Sequence, residues 1–459
     1  MPELKEDNVY LTQNMPRVFM KTALPIVLIM LVNGSFNLVD AWIVGAYVGT
    51  LGLTAVTVMF PLFMIMIALS AMVASGMSSI LARQLGRGDR QAATALFTQA
   101  HIMSGLIALI LMVSYLAFGF EFVDSLSGGD DAMAGMSYDY MLITMMGAPL
   151  MFTLSLHIDG LRCDGAMKIM LRVMLLSVLF NVIFDFAFVV WLELGVAGSA
   201  WGTVTSQFLA LLITSSYMIR QDKALSLTLR WRDKFGDHIR EIFALGMPVS
   251  LNYLGVSLAS IMALYGVQMW GVNDYAATAG AFGVITRVTS FTFLPLLGLS
   301  TAFQTIIGQN HGAGERARSN AALKTGLVTA FIYCVCIQVI LISTADSISL
   351  LFVDDIALAS EVGRIIPIIL MLFFFFGPAM IIATYFQAVG AAGNAAILNM
   401  ARTYCFVLPL TFILPQFYGE TGIWYSRPVT ELLMVCLTLA LLFRAAKKNG
   451  SYLGLFHRV

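Results

Sequence analysis

The chain has 459 residues, of which 59% are apolar and only 11% charged, with a mean hydropathy of +0.85. A soluble body of this size needs more polar surface, and a disordered chain needs more charge, so both classes are excluded. The 26 basic and 26 acidic residues cancel, which removes the basic field expected of a nucleic-acid binder.

What remains is an all-α polytopic membrane protein. Residues 1–16 are polar and are read as a cytoplasmic N-terminal segment; the long apolar run that follows lacks the short core and cleavage site of a removable signal. A spanning helix needs about 20 apolar residues. The sequence accordingly divides into twelve spans, at 17–44, 52–82, 93–119, 134–157, 166–191, 195–220, 239–268, 275–307, 319–343, 360–387, 394–417 and 422–447. The runs are continuous, unlike the alternating strands of a β-barrel.

An even number of spans puts both termini and every second connection on one side. That side gathers every lysine and arginine except Arg287, which lies in a span, and Arg364 and Arg427, which fall opposite. Such asymmetry marks the cytoplasmic face, so both termini are placed in the cytoplasm and the protein in the cytoplasmic (inner) membrane of a bacterium or archaeon. The opposite loops are acidic, with Glu121, Asp124, Asp130 and Asp131 in one and Asp346, Asp354 and Asp355 in another.

The longest polar connection, 221–238, divides the chain near its middle, and motifs recur across it. Gly86-Arg87-Gly88-Asp89-Arg90 returns as Gly312-Ala313-Gly314-Glu315-Arg316. Gly147-Ala148-Pro149 is echoed by Gly377-Pro378. The stretch 159–165 is echoed by 387–393, Gly195 to Gly198 by Gly419 to Gly422, and Pro25 by Pro248. Five matches in order, at nearly constant separation, predict two six-helix lobes related by an internal repeat. The lobes are 17–220 and 239–447, joined by a cytoplasmic linker at 221–238 and followed by a cytoplasmic tail at 448–459.

Three acids lie inside spans: Asp40, Asp185 and Glu431. Each costs about 2.5–3.5 kcal/mol at a helix centre. Asp40 shares a helix face with Asn37 and Asn33, and Asp185 shares one with Asn181 at i−4. The sixth span adds Thr203, Thr205 and Gln207. The corresponding second-half positions are apolar, near Ala263 for Asp40 and near Ile413 for Asp185. This is the pattern of a cation site confined to one lobe; a structural hydrogen-bonded pair is the alternative. Two carboxylates in a low dielectric resist ionising together, so the pair can hold a proton or bind Na+ with its amide and hydroxyl neighbours. Pro25, in the same span as Asp40, withholds a backbone hydrogen bond and marks a kink or hinge. Glu431, nearer the start of its span, fits a structural or interfacial role or a functional one, and Arg287 meets an acid, lines the pathway or snorkels.

No nucleophile–base pair or metal-ligand spacing marks an enzyme, and no cofactor is implied. The five histidines are scattered. The five cysteines, Cys163, Cys334, Cys336, Cys405 and Cys436, read as small buried hydrophobes.

Twelve spans, a six-plus-six repeat, Pro25 with Asp40, and Asn181 with Asp185 together resemble the multidrug and toxic compound extrusion (MATE) transporters, specifically their DinF-like branch. The resemblance covers essentially the whole chain. It implies a cation-coupling site at Asp40, Asn181, Asp185 and Thr203. It also implies a monomer that exports cationic or amphipathic small molecules by alternating access, in exchange for H+ or Na+. A flippase for lipid-linked precursors is the alternative of related architecture.

Overall fold

The computed structural model describes residues 8–126, 131–220, 225, 237–271, 275–345, 356–449 and 455. Residues 1–7, most of the linker 221–238 and of the tail 448–459, and the acids Asp130, Asp346, Asp354 and Asp355 lie outside the described residues, as does the side chain of Asn37.

The described chain is helical, with no strand among the described residues. After a short turn at Val9–Thr12 come α1 (Met15–Tyr47), α2 (Thr50–Arg87), α3 (Arg90–Leu126), α4 (Asp131–Met146 with Ala148–Cys163), α5 (Met167–Phe186) and α6 (Gly195–Arg220). The second half gives α7 (Asp237–Trp270), α8 (Tyr275–Gly312), α9 (Arg316–Ser343), α10 (Ile356–Leu370 with Phe376–Ala388), α11 (Ala392–Met400 continuing through Leu408–Ile413) and α12 (Glu420–Asn449). Ten helices are long and apolar enough to cross a membrane, and the bent pairs α4 and α10 bring the spans to twelve. The surface carries large apolar side chains along the helices, such as Ile110, Phe118 and Phe443. In a bilayer that is the favourable outward face. Cys163 and Cys334 are buried as expected, but Cys336, Cys405 and Cys436 are exposed on that face, because an apolar surface removes the incentive to bury a thiol.

Both bent pairs turn through 46°. The first bend falls at Gly147, where an added Cβ would sit 2.5 Å from Val204 Cγ2, just before Pro149. The second falls before Gly377-Pro378. There the backbone groups freed at the break are satisfied by a side chain: Phe374 N–H donates to Gln338 Oε1 at 3.1 Å, and Gln338 Nε2 donates to the Met371 carbonyl at 3.0 Å. A break at membrane depth needs such partners.

The internal repeat is visible in the backbone. Positive φ angles pair across the halves: Gly88 with Gly314 (77° and 74°), Gly165 with Gly390 (82° and 83°), and Gly195 with Gly419 (60° and 59°). At the first two pairs the chain leaves a helix through the same turn, as in Asp89 N–H to the Gln84 carbonyl and Glu315 N–H to the Asn310 carbonyl. Only glycine takes this conformation without a Cβ penalty. The pairing corrects the alignment of one repeated motif: Gly165 answers Gly390 rather than Gly393.

Two compact units result. One comprises Leu28–Ser250 with Met1–Asn8, the other Leu251–Val459 with Val9–Val27. The change of unit falls just after Pro25 in α1 and just after Pro248 in α7. In the first unit, α2 and the start of α7 pack backbone on backbone: a Cβ on Gly246 would lie 1.8 Å from the Met72 carbonyl oxygen, and one on Gly76 2.1 Å from that of Ile242. In the second, Gly298 of α8 packs against Val27 of α1, with a Cβ position 3.1 Å from the Val27 nitrogen. Small residues at such crossings let helices approach where no hydrophobic force drives them together.

Gly246→Leu therefore forces α2 and α7 apart and lowers the thermal unfolding midpoint in detergent by the equivalent of about 2–4 kcal/mol. Gly105→Ala in α3, where an added Cβ meets nothing within 4 Å, leaves the midpoint unchanged or raises it through helix propensity.

Candidate functional site

The first unit brings together α1, α5 and α6 around the intramembrane acids. Gly202 sets the spacing. A Cβ there would lie 2.0 Å from Asp185 Oδ1 and 2.8 Å from the Asp185 nitrogen, so α6 passes directly against the α5 carboxylate. Asp185 is fully buried. Asn181, one turn earlier, donates from Nδ2 to Asp185 Oδ1 at 3.0 Å and to Thr203 Oγ1 at 3.3 Å. Asp40 accepts a 2.7 Å hydrogen bond on Oδ1 from the hydroxyl of Ser199. The Asp40 and Asp185 carboxyls lie within hydrogen-bonding range of one another. Two carboxyls this close in an apolar bundle resist ionising together. Asp185 Oδ2 has no hydrogen-bond partner in this arrangement.

The structure thus gathers Asp40, Asn181, Asp185 and Thr203, four residues picked out in the sequence, into one cluster. Thr203 is the threonine in contact. Asn33, Thr205 and Gln207 are half-buried on the same helices without joining its hydrogen bonds among the described residues. Two members were not found in the sequence. Ser199 stands one turn before Thr203 on α6, a spacing that could have flagged it. Tyr140 of α4 lies within electrostatic range of both acids, and no local pattern marks it.

The second unit holds the third intramembrane acid. Glu431 of α12 pairs with Arg402 of α11, and the Arg402 guanidinium carbon lies 4.2 Å over the Phe376 ring. Arg402 was expected among the cytoplasmic bases, yet it lies well inside its span, Ala392–Tyr418. Charge counting grouped it with the cytoplasmic bases, although it falls within the predicted span 394–417, because its partner is remote in sequence. Arg427, one turn before Glu431, is within range of both charges. Arg287 is exposed on α8, without an ion pair among the described residues. Two of the scattered histidines meet: the His101 and His157 rings are 5.2 Å apart, with His157 Nδ1 3.2 Å from Thr214 Oγ1. Among the described residues no group of three metal-ligating His, Cys, Asp or Glu side chains occurs.

Comparison with known proteins gives the same architecture. The MatE family profile matches residues 25–187 and 248–413. The chain is 26% identical to a protein of Shewanella oneidensis named FAD transporter, over 95% of this chain and 97% of that one. It is 25% identical to the multidrug export protein MepA of Staphylococcus haemolyticus, over 94% of each. An outward-facing structure of a multidrug resistance MATE family transporter aligns with a TM-score of 0.84 at 22% identity, covering 96% of this chain and 98% of that chain.

Glu431→Gln leaves Arg402 without its acid inside the bundle, and the unfolding midpoint in detergent falls by the equivalent of about 3–5 kcal/mol. The double variant Arg402→Met with Glu431→Met recovers most of that loss, because both desolvated charges go together.

Proposed function

The chain belongs to the MatE family, and from that premise we propose that it is a cation-coupled efflux antiporter for amphipathic organic compounds in the cytoplasmic membrane. The observation that carries the coupling is the cluster of Asp40, Ser199, Asn181, Asp185 and Thr203. Two carboxyls face one another in an apolar bundle, with amide and hydroxyl groups supplying further ligands. A proton or Na+ entering between them changes the local charge by one unit, where charge is weakly screened. Its entry rearranges the contacts that tie α1 to α5 and α6. Helix α1 also passes from one unit to the other just after Pro25, so a change at Asp40 acts on an element shared by both. No metal cage is required, and Na+ would use the same oxygens that otherwise hold the proton.

The relatives' names cover both drugs and FAD. We take the cargo as amphipathic, with cationic compounds favoured by the acidic cluster, and the termini as cytoplasmic from the distribution of bases. The flippase alternative gains no support from these relatives. In the second unit Arg402 is already answered by Glu431.

Proteoliposomes loaded by separate proton and sodium gradients, with ethidium as the cationic probe, identify the ion. Asp40→Asn and Asp185→Asn are each expected to lower gradient-driven transport at least tenfold at equal expression. Wild-type transport by both variants would overturn the site assignment. Transport that persists with both gradients collapsed would overturn the coupling.

A further inference from the structure

Helix α5 has a buried polar side and an exposed side. Asn181 and Asp185 are buried, while Lys168, Arg172, Leu175, Leu179 and Ile183 are exposed and recur at helical spacing as one stripe. In a bilayer such a stripe meets acyl chains. Its two cations stand one turn apart at one end, and the rest is aliphatic. The antiparallel α6 carries exposed Trp201, Phe208, Leu212 and Ile219. Gly202 meets Asp185, and counting equally far along both helices from that contact brings Lys168 level with Ile219, beside the exposed Arg220.

No carboxylate answers the two cations. Neither the Lys168 nor the Arg172 side chain has an ion pair or hydrogen bond among the described residues, and the acids just before α5 are engaged elsewhere. Asp159 pairs with Arg162 at 2.8 Å and Asp164 with Arg90 at 3.4 Å. Arg172 lies inside the candidate span Met167–Trp191, more than a turn from its end. A guanidinium there needs an oxygen partner, and a lipid phosphodiester is the one that a bilayer supplies beside a basic helix end.

The internal repeat singles out this pair. Gly165 and Gly390 align the starts of α5 and α11, so Lys168 and Arg172 correspond to Gly393 and Ile397. The π-helical stretch Ala401–Val407 adds its extra residue to α11 only beyond these positions. Gly393 and Ile397 are exposed too, as are Cys405 and Phe412 further along α11. Gly195 and Gly419 align Arg220 with Arg444, which is also exposed. An exposed helix face of the same kind thus occurs in both units, and the cation pair in the first alone.

We propose that the Lys168–Arg172 end of α5 is a docking site for an anionic phospholipid. The two cations hold its phosphodiester, and its acyl chains lie along Leu175, Leu179 and Ile183.

The test is native mass spectrometry of the purified full chain in detergent, titrated with dioleoylphosphatidylglycerol or dioleoylphosphatidylcholine. It needs no ion gradient, so its outcome does not depend on whether export is cation-coupled. The wild type is expected to bind the first phosphatidylglycerol about tenfold more tightly than the first phosphatidylcholine. Lys168→Gln with Arg172→Gln, both at exposed positions, should bring the two lipids within about twofold. Arg316→Gln with Lys324→Gln removes the same charge from exposed positions on α9 and should keep the preference. Gly393→Lys with Ile397→Arg should install a second site of similar preference, since a Cβ at Gly393 meets nothing within 4 Å. Equal affinity for the two lipids, a preference that survives the Lys168/Arg172 double variant, or one lost equally in the Arg316/Lys324 variant would overturn the proposal. Displacement of the bound lipid by an equimolar amount of glycerol 3-phosphate would overturn it as well, by showing a site for free phosphate.

Discussion

A charge inside an apolar bundle must be answered by a partner, and most of the informative structure here is the set of answers. Water cannot solvate these groups, so each must find a hydrogen bond, an opposite charge or a bound ion. Asp40 finds Ser199, Asp185 finds Asn181, and Glu431 finds Arg402. Because such groups are few in a chain with 11% charged residues, each arrangement stands out against a background of side chains that face one another or lipid.

The acid cluster also shows how a helix approach can be tuned by one residue. Gly202 has no side chain where Asp185 needs room, so α5 and α6 meet at the carboxylate itself. Asn181 then spans from Asp185 to Thr203. Replacing Gly202 by any other residue would put carbon where the carboxylate oxygen sits, which places the glycine among the residues that shape the site without touching an ion.

The class of the protein and its span count were legible because hydropathy averaged over a whole span is a bulk property that neighbouring helices do not alter. The repeat was legible in its turn glycines, since a positive φ restricts the residue type locally. Asp40, Asn181, Asp185 and Thr203 could be read because a polar group among apolar ones is conspicuous. What stayed hidden depends on contacts between distant segments. Ser199 and Tyr140 are ordinary residues until α1 and α4 arrive beside the acids. Arg402 was counted with the cytoplasmic bases until Glu431 supplied a reason for it to be deep in α11. The extra residue of the π-helical stretch shifted the register by one, and an ungapped offset cannot register that.

The passage of α1 and α7 from one unit to the other bears on how the chain is made. The first unit needs the opening turns of α7, up to Ser250, and the second needs Val9–Val27, which are synthesised before anything else that unit contains. Neither unit can therefore close while only its own half has left the ribosome. The first must wait for the seventh span to be inserted, and the start of the chain must be held available until the last spans arrive. A chain severed in the polar connection at 221–238 would yield two fragments that each lack part of one unit and carry a piece of the other.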